Sequence, residues 1–219
     1  MKQLNGGQGM KKIIFVLVIA IALPKLALAE LTSDIRLKLG SAPGIDTVEV
    51  NGLSGDLEKK GGGNFQVEAV FSPVQSDPLG YVFSAGIFGR THKGTDKTSP
   101  QTDVQYNAGG ISLAGGIGIK ANPQFHFEGK LGLDLGAGKP KSTPGFGWGS
   151  TENGGYAALS LIFGGYYSAP GKPGLQLGLE LGAQSWNGDF RFQNSLGQWI
   201  DGTVKGSGGF ANLVIGLRF

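Results

Sequence analysis

The sequence predicts an all-β protein, an eight-stranded antiparallel up-and-down barrel that spans a membrane. Three observations lead to this fold class. Apolar and polar residues alternate with a period of two in eight separate stretches. Glycine accounts for 41 of the 219 residues, a content that would break helices. Short and long connections between the stretches alternate along the chain, so all the long ones fall at the same end of the barrel.

The composition excludes several classes of protein and of site. Hydrophobic residues make up 40% of the chain, which is too much for a disordered protein. The absence of cysteine rules out disulfides and thiolate metal sites, and two histidines do not support a histidine-rich metal centre. We therefore expect no metal and no cofactor.

The N-terminal segment, residues 1–29, has the layout of a cleaved secretory signal peptide, which leaves 30–219 as the barrel domain. Two lysines precede the apolar run 13–23, and Ala-Leu-Ala at 27–29 forms a small-x-small cleavage site. The run is shorter than the ~20 residues of a transmembrane helix, so an uncleaved anchor is the less favoured alternative.

Removal of this segment changes the net charge. Translation starts at Met1 or at Met10, since Met-Lys-Lys is a typical opening for such a signal. Four of the 19 basic residues and none of the 16 acidic residues precede Glu30, so the formal charge falls from +3 to −1. The mature chain therefore lacks the electrostatic basis for binding nucleic acid.

Eight stretches after the signal peptide each carry one apolar face, which predicts strands. The third and fourth also fit a register shifted by one residue. The predicted strands are 35–40, 65–72, 81–88, 111–120, 125–135, 157–167, 175–184 and 212–219.

The connections are of two kinds. Those at 73–78, 121–124 and 168–173 are short and rich in turn residues, whereas those at 41–63, 92–102, 138–153 and 184–202 are longer and polar. An even-stranded membrane barrel has this arrangement, with turns on one side and loops on the other.

The polar face of the strands favours a membrane barrel over a soluble lipocalin-like barrel, which would hold its apolar face inside. Opposed charges on this face can pair across a narrow interior, and the glycines there relieve crowding. The residues predicted to line the lumen are Arg36, Lys38, Glu68, Lys120, His126, Glu128, Lys130, Asp134, Glu180 and Arg218.

Aromatic residues near the strand ends predict two girdles at the membrane interfaces. The predicted girdle residues are Phe71, Tyr81, Phe125, Phe127, Tyr166, Tyr167 and Phe219 at the short-turn end, with Trp148 and Trp186 toward the long-loop end.

The last strand carries a family resemblance. Residues 211–219 have apolar side chains at alternate positions and end on Phe219, which resembles the C-terminal assembly signal of Gram-negative outer-membrane proteins. The match is partial, because Leu217 stands where an aromatic would be stronger. As a whole, residues 31–219 resemble the small OmpA/OmpX/OmpW-like barrels. The resemblance implies an outer-membrane location, short periplasmic turns, longer extracellular loops and recognition of the last strand by the barrel-assembly machinery.

Two histidines are candidates for catalysis. The lipid A deacylase family is also an eight-stranded barrel, but its histidine is followed two positions later by serine, whereas Glu128 follows His126 here. We expect His126 to be a hydrogen-bonded lumen residue, because no serine stands in a triad relationship to it. His92 begins a predicted loop and is expected to be exposed.

Other motifs fail as catalytic sites. The glycine strings at 115–120 and 136–140 lack the Lys-Ser/Thr pair of a phosphate-binding loop. Glu128, Asp134 and Glu180 could be interpreted as a glycosidase pair, but in a narrow barrel they are expected to meet Lys38, Lys130 or Arg218.

The sequence therefore predicts an outer-membrane barrel with a structural or porin-like role, and not an enzyme. The alternatives are a surface adhesin and a lipid A-modifying enzyme. The expected partners are outer-membrane lipid and lipopolysaccharide, the assembly machinery, and small solutes or a host surface ligand. Aromatics in the predicted loops would suit recognition; they are Phe146, Trp148, Trp186, Phe190, Phe192 and Trp199.

Overall fold

A computed structural model describes residues 32–72, 78–96, 103–142, 150–171 and 173–219. The predicted signal peptide and Trp148 lie outside these residues. No helix in the described part of the chain is long and apolar enough to cross a membrane.

The described chain forms ten antiparallel strands. They are β1 (Thr32–Ala42), β2 (Thr47–Val50), β3 (Leu53–Lys59), β4 (Gly62–Ser72), β5 (Leu79–Asp96), β6 (Asp103–Lys120), β7 (Phe125–Ser142), β8 (Thr151–Ser168), β9 (Gly174–Gln193) and β10 (Trp199–Arg218).

Eight of these strands close into a ring. β1 pairs with β4, each strand from β4 to β9 pairs with the next, and β10 pairs back with β1. This ring confirms the predicted eight-stranded up-and-down barrel, and closure removes the unpaired edges that an open sheet would expose.

The first predicted loop, 41–63, contains a β-hairpin. β2 pairs with β3 around Asn51 and Gly52, which both have positive φ (51° and 76°), as a type I′ turn requires. β2 also pairs with β10, and β3 pairs with β5. The hairpin therefore continues the barrel wall above β1 and β4, which are shorter than the other strands of the ring.

An apolar belt surrounds the half of the barrel that lies next to the short turns. On β9 the outward residues from Leu175 to Ala183 are all apolar, and Tyr81 on β5 is 67% exposed. Nine residues of a tilted strand cover roughly 25 Å, the height of the lipid-facing band of a membrane barrel. The apolar face of the predicted strands therefore points outward.

Above the belt the pattern reverses. On β9, Trp186, Phe190 and Phe192 point inward and are buried, whereas Asn187 and Asp189 point outward and are exposed. We call the two parts the membrane tier and the extracellular tier. The extracellular tier comprises β2 and β3 with residues 89–96, 103–109, 137–142, 151–156, 184–193 and 199–209; the membrane tier comprises the remainder of the ring.

This reversal explains why the predicted strands were too short. Where apolar residues move from the outward to the inward face, the period-two pattern of hydrophobicity shifts by one residue and the alternation is interrupted. β9 thus continues to Gln193 and β10 begins at Trp199, so most of the predicted loop 184–202 is strand. In the predicted loops 92–102 and 138–153, the residues that the structure describes at 92–96, 138–142 and 151–153 are also strand.

Candidate functional site: the filled interior of the barrel

The interior of the membrane tier is filled by buried ion pairs. Arg36 lies at the centre and contacts Glu128 at 2.7 and 2.8 Å and Asp34 at 2.9 Å. Its Nε donates to Gln176 Oε1 at 2.6 Å, and its guanidinium lies 4.1 Å from the centre of the Tyr166 ring. The guanidinium thus bridges side chains from four different strands.

Two lysines extend this network across the barrel. Lys130 Nζ lies 2.9 Å from Glu128 Oε2 and 3.1 Å from Glu180 Oε1. Lys38 Nζ lies 2.9 Å from both Glu180 Oε1 and Glu68 Oε1. The central set balances formally, as a low-dielectric interior requires, because three bases face three glutamates: Arg36, Lys38 and Lys130 with Glu68, Glu128 and Glu180.

Further pairs lie at the two ends of the network. Arg218 Nε contacts Asp34 Oδ1 at 3.2 Å toward the periplasmic mouth. Arg90 pairs with Asp134 toward the extracellular tier, and Gln184 Nε2 donates to the same carboxylate at 3.3 Å. The charged side chains therefore form successive layers along the barrel axis.

Aromatic packing fills the extracellular tier. His92 stacks on Trp186 with ring centres 3.8 Å apart, and Tyr156 stacks on the same indole at 5.9 Å. Tyr106 joins this stack and donates through its hydroxyl to the carbonyl of Asp189 at 3.0 Å. This half of the barrel has a core like that of a soluble protein.

His92 is held neutral inside this core. Its Nδ1 lies 2.7 Å from the carbonyl oxygen of Pro43, and its Nε2 lies 3.2 Å from the Tyr156 hydroxyl. Burial lowers the pKa of His92 to about 4, and the charge of Arg90 acts in the same direction. Burial also raises the pKa of Tyr156 to about 12.

Glycines make room for the interior rings. A Cβ on Gly188 would lie 2.5 Å from the Tyr106 ring, and one on Gly178 would lie 2.4 Å from the Tyr166 ring. These positions admit only glycine without displacing a buried aromatic side chain.

The predicted lumen residues lie mostly in the interior of the ring. Arg36, Lys38, Glu68, His126, Glu128, Lys130, Asp134 and Glu180 are buried. Lys120 and Arg218 lie half-buried at the periplasmic mouth. His126 lies 3.2 Å from Glu128 Oε1 and stacks on Tyr166. Within the described residues, no group of three or more His, Cys, Asp or Glu side chains is placed to hold a metal.

The prediction of membrane-girdle residues is wrong at two positions. Tyr166 is 1% exposed and donates to Glu180 Oε1 at 2.6 Å inside the membrane tier, and Trp186 is 3% exposed inside the extracellular tier. Both side chains belong to the inward face by the alternation of their strands, because Tyr166 is in phase with Ser160 on β8 and Trp186 with Glu180 on β9. The remaining girdle residues within the described chain face outward; they are Phe71, Tyr81, Phe125, Phe127, Tyr167 and Phe219.

Three residues predicted for exposed loops are also buried. His92 lies in β5, and Phe190 and Phe192 lie in β9, all pointing inward. His92 is therefore not the exposed loop residue that the sequence predicts, and Phe190 and Phe192 cannot belong to a recognition surface. Trp199 is partly exposed at the start of β10.

Several interior residues were missed from the sequence. Asp34, Arg90, Gln176 and Tyr106 all contribute hydrogen bonds or ion pairs to the interior. Asp34 and Gln176 sit at alternate positions from Arg36 and Gly178, so the period-two pattern could have found them. Arg90 and Tyr106 lie beyond the phase reversal, where that signal fails.

The fold has counterparts among solved structures, although no family model and no curated protein sequence matches the chain. The outer-membrane protein OprG from Pseudomonas aeruginosa is 11% identical and superposes with a TM-score of 0.53 over 86% of this chain and 95% of OprG. Ail, the attachment invasion locus protein of Yersinia pestis, solved in complex with the heparin analogue sucrose octasulfate, is 18% identical over 87% of this chain and 99% of Ail, with a TM-score of 0.42. With its closed eight-stranded ring and outward apolar belt, the chain has the fold of an outer-membrane β-barrel like that of OprG.

Proposed function

We propose that this protein is a closed outer-membrane barrel with a structural role, which holds a rigid extracellular β-tier above the lipid surface. The observation that carries the proposal is the filled interior. Arg36, Lys130 and Glu180 are almost completely buried among their partners, and the stack around Trp186 covers them from the extracellular side. An ion crossing the barrel would have to displace both layers.

The closed-barrel proposal and the porin-like alternative predict different ion conductance. Reconstituted into a planar bilayer, the wild-type protein is expected to give no steady conductance above the bare membrane. Flotation of the same preparation with liposomes controls for insertion. A steady, ohmic current from inserted wild-type protein would overturn the closed-barrel proposal and favour the porin-like one.

We also propose that the protein is not an enzyme. His126 contacts Glu128 and the Tyr166 ring, and the geometry around it supplies a buried hydrogen-bonded residue rather than an activated nucleophile. Mass spectrometry of lipid A from cells with and without the protein tests this proposal. A change in the acyl pattern that depends on His126 would contradict it.

Outer-membrane location, export by residues 1–29 and assembly through the last strand belong to the same proposal. Leu213, Ile215 and Leu217 of β10 face outward, and β10 closes the ring on β1. Lipopolysaccharide is then the lipid that surrounds the outer half of the belt. Fractionation of cells expressing a variant that lacks Phe219 tests the assembly signal, because an unchanged amount of folded protein in the outer membrane would contradict it.

A further inference from the structure

We propose that the outer wall of β5, β6 and β7, just above the apolar belt, binds the phosphate groups of lipopolysaccharide. The inference rests on the proposed outer-membrane location and adds a specific site to it. The surface consists of Lys93, Lys139 and Lys141 with the polar residues Thr91, Gln105 and Asn107, and we call it the cationic patch.

The strand register places the patch directly above the lipid-facing surface. Ile87, Ile111 and Leu135 pair across the three strands as the last row of large apolar side chains, and the next outward row is Gly89, Gly109 and Ala137. The two rows beyond it are Thr91, Asn107 and Lys139, followed by Lys93, Gln105 and Lys141. On a tilted strand these rows lie about 5 and 10 Å above the small-residue row, which is the height of lipid headgroups.

The lysines of the patch lack acidic partners. All three are exposed, and none of them forms an ion pair with any other residue in the described part of the chain. The sequences that connect these strands, 97–102 and 143–149, contain no Asp or Glu. Asp103, one row further out on β6, accepts a hydrogen bond from Thr95 at 2.6 Å.

The opposite wall of the same tier is organised differently. There Arg191 pairs with Asp201 at 2.7 Å and Lys205 with Glu49 at 3.6 Å. Lys59 on β3, the strand next to β5, also has a protein partner, since its Nζ lies 2.8 Å from Asp46. The bases of this wall are therefore compensated by protein carboxylates, whereas those of the patch are available to anions from outside. We therefore expect the lipid phosphates to bind at the wall formed by β5, β6 and β7 and not at the opposite wall.

The patch also has the spacing that phosphate recognition needs. Lys139 and Lys141 are ~7 Å apart along β7, and Lys93 lies two strands away at ~10 Å, distances that flexible lysine stems can close. Asn107 Oδ1 accepts hydrogen bonds from Thr91 Oγ1 (3.0 Å) and Gln105 Nε2 (2.8 Å). These bonds orient the Asn107 amide and leave its NH₂ group as a neutral donor between the ammonium groups.

Position favours a membrane lipid over a soluble polyanion. The patch is continuous with the apolar belt, so a phosphorylated lipid can contact Leu135 and Ile111 with its acyl chains and the lysines with its headgroup. A soluble polysaccharide would gain nothing from that continuity. The charge attraction adds to the burial of the acyl chains in the same molecule.

The test compares two triple variants of the full barrel, refolded in zwitterionic detergent. One is K93Q/K139Q/K141Q, and the matched control K59Q/R191Q/K205Q removes three bases of the same tier that pair with protein carboxylates. Binding of bisphosphorylated lipid A is measured by titration, with dephosphorylated lipid A and heparin as comparison ligands. We expect the patch variant to bind bisphosphorylated lipid A on the order of 100-fold more weakly than wild type, and the control within about threefold.

Several outcomes would overturn the proposal. Equal affinity of wild type and the patch variant for lipid A would show that these lysines do not bind it. An equal loss of affinity in both variants would show that exposed bases attract lipid A wherever they lie. Equal binding of dephosphorylated lipid A would exclude phosphate as the ligand group, whereas heparin binding without lipid A binding would point to a polysaccharide. Heat-modifiable migration in gels controls for folding. The conductance measurement tests the closed-barrel proposal separately, so the two proposals can fail independently.

Discussion

The membrane tier and the extracellular tier share six long strands but use opposite side-chain patterns. Below residue Ala183 of β9 the outward face is apolar and the interior holds Arg36, Glu128 and Lys130. Above it the outward face is polar and the interior holds His92, Tyr106 and Trp186. The same strand therefore changes from an inside-out barrel to one packed like a soluble protein.

The difference shows that the medium outside the barrel wall, lipid or water, determines which kind of side chain fills the interior. Lipid outside leaves the polar face only the lumen, so its charges must neutralise one another there. Water outside allows charges on the surface and drives aromatic side chains inward. The interior is therefore filled by ion pairs in the membrane tier and by aromatic rings in the extracellular tier.

The largest effect is expected from breaking the ion pairs of the membrane tier. Glu128→Ala leaves Arg36 and Lys130 without their shared carboxylate, and an uncompensated buried charge costs about 3–5 kcal/mol. The free energy of unfolding in urea, with the barrel in lipid vesicles, measures this loss.

The extracellular tier supplies the control for that substitution. Asp201→Asn breaks the pair with Arg191, whose side chain is 52% exposed while that of Asp201 is 81% exposed, so it should cost below about 1 kcal/mol. Equal costs for the two variants would show that the buried network does not carry the stability of the membrane tier.

A smaller loss of stability is expected from a lysine on the outward face of β9, and its size should differ between the two tiers. Leu179→Lys places a charge in the apolar belt and should destabilise the protein by about 2–4 kcal/mol, whereas Asn187→Lys, eight residues further along β9, should be close to neutral. The same urea titration measures both. A large loss at Asn187 would mean that the belt extends higher than the side-chain pattern indicates.

The smallest effect concerns the pH dependence of the extracellular tier. Because the pKa of His92 falls from 6.5 in the unfolded chain to about 4 in the fold, the unfolded state binds more protons between these values. Stability should therefore be full above pH 6.5 and fall by about 2 kcal/mol on going down to pH 5.

His92→Phe tests that assignment. Phenylalanine keeps a flat ring against Trp186 but cannot take up a proton. Urea titrations of both proteins at pH 7.5 and pH 5 should show a smaller loss of stability in the variant. The same pH-dependent loss in both proteins would assign the effect to other groups.

Much of the membrane tier could be predicted from the sequence because its signals are local. Alternation identified all eight strands of the ring, and the charges on the polar face predicted the kind of interior that Lys38, Glu68 and Glu180 form. The Asn51-Gly52 turn was also readable as a hairpin signal, although the segment was assigned to a loop. The extracellular tier was missed, because the change of phase erased the pattern on which each strand assignment depended.

Period-two patterning depends only on neighbours along the chain, so the eight strands and their apolar face can be inferred from the order of the residues alone. Which charges meet depends on the tertiary structure. Arg36 and Glu128 are 92 residues apart and come together through ring closure and register. The tertiary structure also decided that Trp186 points inward, since apolar side chains change from the outward to the inward face where the lipid ends.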